Sequence, residues 1–432
     1  MDSIWTQTAD LPQFAPLDGD LRTGVLVVGG GMAGLLCAGQ LTRAGVDCAL
    51  VEADRICGGT TKNTTAKLTS QHGLIYGRLL REFGLEKARL YLEANQAALE
   101  RFRTLCQTVD CGFEERDAWV YSRTDRRKLD RELEALHILG FPAELTEELP
   151  LPFPTAGAVR FPSQAQFHPL RFAAAVAKDL RIFERTKVLE LGPRKAATNR
   201  GTVTADKIVI ATHFPLLNKH GGYFLKLYQH RSYVLALEGA PELGGMYVDE
   251  DSRGLSFRNY RNLLLLGGGG HRTGKPGGGW LELEGTARAH WPQARIAARW
   301  AAQDCMTLDG APYVGRYSPN TPDLYVVTGF NKWGMTGSMA AAVLLADLIL
   351  GRENPWEELF RPSRRILRPQ LAANALESAL GLLTPTAPRC PHMGCALKYN
   401  AQEHSWDCPC HGSRFGEDGR LIDNPATDDK QM

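Results

Sequence analysis

Val25-Leu26-Val27-Val28-Gly29-Gly30-Gly31-Met32-Ala33-Gly34 is the stretch that decides the fold of this chain. Its apolar beginning, rich in β-branched valine, predicts a buried parallel strand. The glycines have the spacing G-x-G-x-x-G, in which Gly29 permits a tight turn, Gly31 lets a phosphate approach the backbone, and Gly34 lets the next helix pack close to the strand. That helix directs its N-terminal N–H groups at a pyrophosphate. The stretch therefore predicts the first half of a dinucleotide-binding fold.

A second predicted strand, Cys48-Ala-Leu-Val51, ends at Glu52. Glu52 lies close to the offset of ~20 residues at which an acid binds the ribose hydroxyls of a dinucleotide and repels a 2′-phosphate. The alternative is a glycine-rich loop in an unrelated α/β protein. Another glycine run, at residues 267–270, is followed by helix breakers. The sequence thus predicts one site, for FAD or NAD, and no separate NAD(P)H domain.

Composition limits the classes of protein that the chain can belong to. A length of 432 residues suggests two to three domains, and a net charge of +2 gives no indication of nucleic acid or of an anionic membrane as a partner. The start of the chain lacks the basic and apolar regions of a secretory signal. The longest apolar run, Met339 to Leu350, is too short to span a bilayer. We therefore expect a cytoplasmic protein with no transmembrane segment.

Cysteine and histidine cluster near the end of the chain. Four of the ten cysteines fall in the last tenth, within Cys390-Pro-His392-Met-Gly-Cys395 and Cys408-Pro-Cys410-His411-Gly-Ser413. In a chain without a secretory signal, such clustering indicates a metal or cluster site before a disulfide scaffold. The spacings C-x-H and C-x-x-H are compatible with zinc held by two cysteines and two histidines.

The body resembles the D-amino-acid oxidase-like FAD family, which includes glycine and sarcosine oxidases. The resemblance rests on three pieces in the family's order: the first glycine motif with Glu52, the loop Gly58-Gly-Thr-Thr61, and Gly329-Phe…Gly334-Met-Thr336. It implies FAD as the cofactor and oxidation of amine or amino-acid C–N bonds by hydride transfer. The FAD-contacting residues that it implies are Gly29, Gly31, Gly34 and Glu52 for the AMP half, Thr60 and Thr61 beside the pyrophosphate and flavin, Val188 for adenine, and Gly329, Gly334, Met335 and Thr336 for the flavin ring.

Cys305 is a candidate for covalent flavin attachment. It precedes Met306, and monomeric sarcosine oxidases have a flavin-bonded Cys-Met at a similar place. The resemblance implies an 8α-thioether, and the alternative is a small buried thiol.

The two C-terminal loops resemble a Rieske 2Fe–2S centre, in which one iron takes two thiolates and the other takes two imidazoles. By that resemblance Cys390 and Cys408 bind the first iron, and His392 and His411 bind the second. The sequence therefore predicts a high-potential one-electron centre in the same chain as FAD.

Further positions match Rieske proteins of the cytochrome bc-complex type. Cys395 and Cys410 match the disulfide that ties the two loops together there, and Ser413 matches the hydroxyl that hydrogen-bonds a bridging sulfide. Phe415 stands where that subgroup often has tyrosine. Zinc would explain four ligands but not the additional pair, so the sequence favours the iron–sulfur centre.

The predicted fold class is α/β plus β. A Rossmann-like FAD-binding domain carries an inserted α+β substrate domain and is followed by a small Rieske-type iron–sulfur domain. The predicted boundaries are 1–80, 155–215 and 295–355 for the FAD-binding domain, 81–154 and 216–294 for the substrate or cap domain, 356–383 for a helical connector, and 384–432 for the Rieske domain. We expect the charged helices after Gly84 to form a cap rather than core.

The combination predicts a dehydrogenase. A small amine or amino acid would reduce FAD, and electrons would leave one at a time through the cluster to an external acceptor protein or quinone. One alternative is a reductase or monooxygenase that receives electrons through the Rieske centre; another is a redox-sensing flavoprotein. A Rieske ring oxygenase is disfavoured because its catalytic domain uses a mononuclear iron.

Catalytic residues are not assigned by the sequence. The side chains considered, each with a structural role as the alternative, are His72, His213, His271, Tyr228, Arg231, Tyr233 and Tyr260. Of these, Arg231 is the candidate clamp for a substrate carboxylate.

Overall fold

The computed structural model of the chain describes residues 2–217, 220–365, 367–385 and 388–430. In chain order its strands are β1 (Leu21–Val28), β2 (Cys48–Val51), β3 (Lys67–Leu68), β4 (Glu114–Ser122), β5 (Glu144–Thr146), β6 (Gly157–Gln166), β7 (Arg181–Phe183), β8 (Val188–Gly192), β9 (Lys195–Thr198), β10 (Gly201–Ile210), β11 (Leu227–Glu238), β12 (Met246–Asp249), β13 (Ser256–Tyr260), β14 (Leu263–Arg272), β15 (Arg295–Thr307), β16 (Tyr313–Arg316), β17 (Leu324–Thr328), β18 (Lys398–Asn400), β19 (Ser405–Asp407), β20 (Arg414–Gly416) and β21 (Leu421–Asp423). Its helices are α1 (Ile4–Gln7), α2 (Met32–Arg43), α3 (Tyr76–Phe83), α4 (Leu85–Cys106), α5 (Arg126–Ile138), α6 (Pro169–Ala177), α7 (Tyr223–Lys226), α8 (Gly279–His290), α9 (Gly334–Ile349), α10 (Glu357–Phe360) and α11 (Pro369–Leu383).

The first sheet positions the nucleotide-binding loop. Its strand order is β16-β17-β10-β1-β2-β7, and β1 runs parallel to both β10 and β2. Helix α2 follows β1 and helix α9 follows β17, and these two helices pack against each other. Since the carboxyl ends of parallel strands share one edge of a sheet, the turns before α2 and α9 lie at the same edge.

The second sheet has the order β15-β11-β14-β13-β12-β4-β6-β3, with β5 paired to β6. It includes β3, β6 and β15, which the sequence division had placed in the FAD-binding ranges. The predicted domain division differs from the observed sheet because a strand joins a sheet by pairing with residues far away in the sequence, such as Leu227 with Thr307. Local hydrophobic periodicity does not report such pairing.

Helix α4 is part of the main core, so the expectation that the helices after Gly84 form only a cap was wrong for this helix. It packs against α9, and its apolar face from Ala88 to Phe102 is buried in the main hydrophobic cluster. Apolar residues at helical spacing, among many surface charges, are typical of a helix with one buried face.

The C-terminal unit is a four-stranded antiparallel sheet in the order β18-β19-β20-β21. Its small core contains Leu397, Phe415 and Ala426 together with the four clustered cysteines. Within the described ranges, no helix has both the length and the apolar character required to cross a membrane.

Candidate functional site

A cavity of about 820 Å³ lies at the edge where the turns before α2 and α9 meet. The predicted cofactor residues that line it are Gly29, Gly31, Glu52, Thr60, Thr61, Val188, Gly334 and Met335. Residues of the second sheet and of the C-terminal unit complete the wall. The structure therefore brings together pieces that are separated by more than half of the chain.

Gly29 and Gly34 make the strand-to-helix turn possible. Gly29 has φ +109°, and a Cβ there would lie 2.6 Å from the carbonyl oxygen of Ala211. A Cβ on Gly34 would lie 1.9 Å from the carbonyl oxygen of Gly29. Gly34 therefore does not line the cavity, but it sets how closely α2 approaches β1.

Polar groups around this turn are fixed by the backbone. The Glu52 carboxylate accepts hydrogen bonds from the N–H groups of Gly30 (2.7 Å) and Asp54 (2.9 Å). Burial raises the pKa of Glu52, and these two hydrogen bonds oppose that rise. The Thr61 hydroxyl accepts from the Met32 N–H (3.0 Å) at the start of α2. This carboxylate, hydroxyl and glycine-lined edge fits the ribose and phosphates of a dinucleotide.

The turn between β17 and α9 is held in an uncommon conformation. Asn331 and Lys332 have φ of +53° and +74°. The Asn331 side chain accepts from the Thr307 N–H (2.8 Å) and donates to the Gly329 carbonyl (2.7 Å), while the Thr336 hydroxyl donates to the Thr69 carbonyl (2.9 Å). Gly329 and Thr336 thus lie outside the cavity lining and support the turn that forms it.

His72 lines the cavity as a neutral, fully bonded ring. Its Nδ1 lies 2.7 Å from the Tyr91 hydroxyl and its Nε2 lies 2.9 Å from the Thr69 carbonyl. Burial lowers its pKa to about 3. The ring also stacks on Trp333 with centroids 5.0 Å apart. His72 therefore supports the wall more than it moves protons.

Cys305 lines the cavity, with its sulfur 3.6 Å from the Thr328 hydroxyl. Burial raises the pKa of this thiol to about 12. A protonated thiol is a weak nucleophile, and the covalent flavin link stays a prediction.

The other candidates divide between the cavity wall and its surroundings. Tyr228, Tyr233 and His213 line the cavity. His271 lies outside it and bonds the Tyr233 hydroxyl at 3.0 Å. Tyr260 also lies outside and packs edge-on against Trp5, with centroids 4.7 Å apart.

Several charged residues of the cavity wall were missed by the sequence reasoning, and two of them, Asp304 and Lys332, flank predicted flavin contacts. Asp304 and Lys332 line the cavity, and neither has an ion-pair partner within 4.0 Å in the described part of the chain. Burial raises the pKa of Asp304 and lowers that of Lys332. Their positions in the sequence could have indicated them, because Asp304 is next to Cys305 and Lys332 lies in the turn before Gly334. The sequence already predicted flavin contacts at both places.

The second site lies in the C-terminal unit. The Sγ atoms of Cys395, Cys408 and Cys410 lie within 4.8 Å of one another. Cys390 also interacts with the Cys408 thiol. The group thus holds more thiols than the two predicted ligands Cys390 and Cys408. This is expected where those ligands lie beside the additional pair of Cys395 and Cys410.

The histidines fit a metal cluster. Both ring nitrogens of His411 are buried, and neither has a hydrogen-bond partner among the described residues. The ring of His392 lies 5.0 Å from that of His411. Buried imidazole nitrogens without partners are costly unless a metal binds them. The cysteines are free thiols in the structure, so the pairing of Cys395 with Cys410 stays a prediction.

Ser413 is placed to donate towards the cluster loops. Its backbone carbonyl accepts from the Cys408 N–H (2.8 Å), and its hydroxyl oxygen accepts from the Ala426 N–H (2.9 Å). The hydroxyl proton therefore remains available for a sulfur acceptor. Phe415, at the position often taken by tyrosine, is buried and carries no hydroxyl.

The histidine-bearing loops face the body of the protein. The ring of His392 lies 6.3 Å from that of Phe214, and the ring of His411 lies 6.2 Å from that of Phe224. The Asn424 amide donates to the Thr212 carbonyl at 2.6 Å, and both residues line the cavity. The predicted FAD site and the predicted cluster site are therefore separated by one shared wall.

One buried ion pair, between Arg231 and Glu403, joins the C-terminal unit to the body of the protein, and Arg414 pairs with Glu403 from within the unit. The Arg231 Nε donates to Glu403 (3.0 Å), and Arg414 donates to Glu403 (2.8 Å) and Asp407 (3.0 Å). The Arg231 side chain is 4% exposed. The hypothesis that Arg231 clamps a substrate carboxylate was therefore wrong, because its guanidinium is already paired with a carboxylate of this chain.

Glu403 makes the docking of the C-terminal unit sensitive to acid. Burial alone would raise its pKa, but the charges of Arg231 and Arg414 outweigh burial and lower it to about 2. A depressed carboxyl pKa stabilises the fold above the unfolded value of ~4.3, and this stabilisation is lost as pH falls towards 2.

We expect Glu403→Gln to lower the free energy of unfolding at pH 7 by about 3 kcal/mol, because it leaves two buried guanidinium groups without their shared partner. The matched control is Glu417→Gln on the exposed side of the same unit, which should leave stability unchanged because exposed ion pairs contribute little. Urea unfolding at pH 7 and pH 4 measures both. Equal stability of the two variants at pH 7 would show that the ion pairs do not hold the interface.

The comparisons with known proteins agree with the two sites. A family model described as FAD dependent oxidoreductase matches residues 24–348, and one described as Rieske [2Fe-2S] domain matches residues 378–431. The first match contains the cavity residues of both sheets, and the second contains the clustered cysteines and histidines.

Three similar proteins illustrate these matches. YhfW of Bacillus subtilis (strain 168), whose name describes a Rieske 2Fe-2S iron-sulfur protein, is 34% identical over 98% of this chain and 96% of its own. Gamma-glutamylputrescine oxidoreductase of Escherichia coli (strain K12) is 24% identical over 79% of this chain and 88% of its own. The structure of glycine oxidase from Geobacillus kaustophilus superposes with a TM-score of 0.66 at 23% identity, covering 80% of this chain and 100% of that one.

Proposed function

Because the chain belongs to the FAD dependent oxidoreductase family and carries a C-terminal Rieske [2Fe-2S] domain, we propose that it is a dehydrogenase of small amines or amino acids. Hydride transfer from the substrate to FAD oxidises a C–N bond. Electrons then leave singly through the 2Fe–2S cluster to an external acceptor protein or quinone. The names of the relatives, an oxidoreductase of γ-glutamylputrescine and an oxidase of glycine, support this class of substrate.

The observation that carries the proposal is the shared wall between the two sites. Asn424, which follows the last strand of the Rieske domain, lines the FAD cavity and bonds the Thr212 carbonyl at 2.6 Å. The buried ion pair of Glu403 with Arg231 joins the domain to the body in this position. A Rieske domain fixed with its histidine loops towards the flavoprotein body suits electron exchange within one chain.

The chain's own residues supply binding and shielding. FAD supplies the two-electron acceptor when it is bound, and the cluster supplies the one-electron step. The neutral ring of His72 and the stacked Trp333 give the cavity an aromatic wall. Asp304 and Lys332 provide opposite charges that can orient an amine or a carboxylate.

An amine panel tests this function. The purified protein, with iron, sulfide and flavin quantified, is assayed with glycine, sarcosine, putrescine and γ-glutamylputrescine, using either ferricyanide or oxygen as the acceptor. We expect at least one amine to turn over faster with ferricyanide than with oxygen. If none of the amines reduces the bound FAD under anaerobic conditions, while dithionite does, the proposed substrate class is wrong.

A further inference from the structure

One side chain connects the cluster loop to the wall of the FAD cavity. The amide Nε2 of Gln303 donates to the carbonyl of Gly412 at 2.9 Å, and Gly412 directly follows the predicted cluster ligand His411. Gln303 is 3% exposed. It also directly precedes Asp304, which lines the cavity. Gln303, a single buried residue, thus bonds to the residue after a predicted cluster ligand and is next in sequence to a residue that lines the cavity.

The side-chain oxygen and the backbone carbonyl of Gln303 also form hydrogen bonds. Its side-chain oxygen accepts from the Thr273 hydroxyl at 2.9 Å, which fixes which end of the amide faces Gly412. Its backbone carbonyl accepts from the Thr60 hydroxyl at 3.0 Å. Thr60 belongs to the glycine- and threonine-rich loop that lines the cavity. Gln303 therefore bonds simultaneously to the cluster loop and to the predicted FAD loop.

The packing around Gly412 explains how the cluster loop comes close enough to accept a hydrogen bond from Gln303. Gly412 has φ +91°, and a Cβ there would lie 2.2 Å from the Cγ of Gln229. Gln229 lies on β11, which pairs with β15, the strand of Gln303. Because residue 412 has no side chain, the cluster loop lies directly on the ends of these two strands.

Two further contacts between the domain and the body do not join a cluster loop to a residue beside the cavity. Arg272 donates to the carbonyls of Pro409 and Cys410, but it does not line the cavity. Gln402 donates to the Gly278 carbonyl at 3.1 Å, on the side of β18 and β19 away from the cluster loops.

We propose that Gln303 is the positioning residue for electron transfer between FAD and the Rieske cluster. With both groups bound, one electron would pass from reduced FAD to one ferric iron of the cluster, and the external acceptor would reoxidise the cluster before the second electron follows; the flavin protons would pass to solvent. The side chain forms and breaks no covalent bond; it holds the cluster loop in bonded contact with the cavity wall. This inference rests on the proposed function.

The test uses the full chain with both cofactors, under anaerobic conditions. A light flash reduces the bound FAD with EDTA as the sacrificial donor, and absorbance follows the flavin and the cluster separately. We expect Gln303→Leu and Gln303→Asn to slow cluster reduction by roughly tenfold, because each loses the bond to the Gly412 carbonyl and leaves that buried acceptor unpaired. FAD content and the electron paramagnetic resonance spectrum of the reduced cluster should not change, which separates positioning from structural damage.

Gln402→Leu is the matched control, since it also removes glutamine hydrogen bonds between the domain and the body, one to the Gly278 carbonyl and one from the Leu281 N–H. It should transfer electrons at the wild-type rate. Wild-type rates in both Gln303 variants, or an equal slowing in Gln402→Leu, would overturn the assignment of Gln303 and leave the proposed function standing. A wild-type cluster that stays oxidised after FAD is reduced would instead contradict the electron route of the proposed function.

Discussion

Replacing Cys408 with alanine is expected to abolish the 2Fe–2S cluster while FAD stays bound. Cys408 is fully buried, and its sulfur lies within 4.8 Å of those of Cys395 and Cys410. Its N–H and C=O also bond Ser413 and Gly412, which closes the second ligand loop around it. Loss of this thiolate would remove one of the two predicted thiolate ligands of the first iron.

The measurement is the iron and sulfide content of the purified variant together with its electron paramagnetic resonance spectrum. We expect iron to fall from about two atoms per chain to almost none, and the rhombic signal of the reduced cluster to vanish. The control is Cys106→Ala, a half-buried thiol on α4, which should retain both. A Cys408→Ala protein that still bound two irons would show that the ligand set has been misassigned, and zinc in the wild-type protein would exclude the cluster altogether.

Replacing Gly34 with alanine is expected to eliminate FAD binding. The new methyl group would lie 1.9 Å from the carbonyl oxygen of Gly29, and neither backbone can yield without moving α2 away from β1. The Gly29 backbone cannot move aside, because it packs so closely on the Ala211 carbonyl that a Cβ at residue 29 would overlap it. The displaced helix would no longer direct its N-terminal N–H groups into the cavity.

Gly39→Ala is the matched control, because it makes the same change on the same helix. A Cβ at Gly39 would meet Val176 at an ordinary contact distance of 3.6 Å, and alanine is favoured over glycine inside a helix by roughly 0.5–1 kcal/mol. Flavin absorbance after gel filtration measures the bound cofactor. We expect a full complement in Gly39→Ala and almost none in Gly34→Ala, and similar flavin content in both would refute the close-packing role of Gly34.

Local motifs made much of both sites predictable. The strand, turn and helix around Gly29 were readable because hydrophobic periodicity and glycine spacing are properties of adjacent residues. The C-terminal spacings of cysteine and histidine were readable for the same reason. The comparisons confirm the FAD dependent oxidoreductase family and the Rieske domain.

Long-range pairing was not predictable. Arg231 looked free because its partner Glu403 lies 172 residues away, and no local pattern links the two. The assignment of β15 to the second sheet depends on its register with β11. Gln303 drew no attention, since a polar residue in a strand acquires its role only when the Gly412 carbonyl is placed against it.

Flash reduction of FAD in the wild-type protein tests the central claim most directly, because it needs no knowledge of the substrate. With both cofactors present and oxygen absent, absorbance at the flavin and cluster bands is followed after the flash. The account predicts that the reduced flavin decays as the cluster becomes reduced, with one first-order rate that is independent of protein concentration. A cluster that stays oxidised, or a rate that rises in proportion to protein concentration, would contradict electron transfer within the single chain.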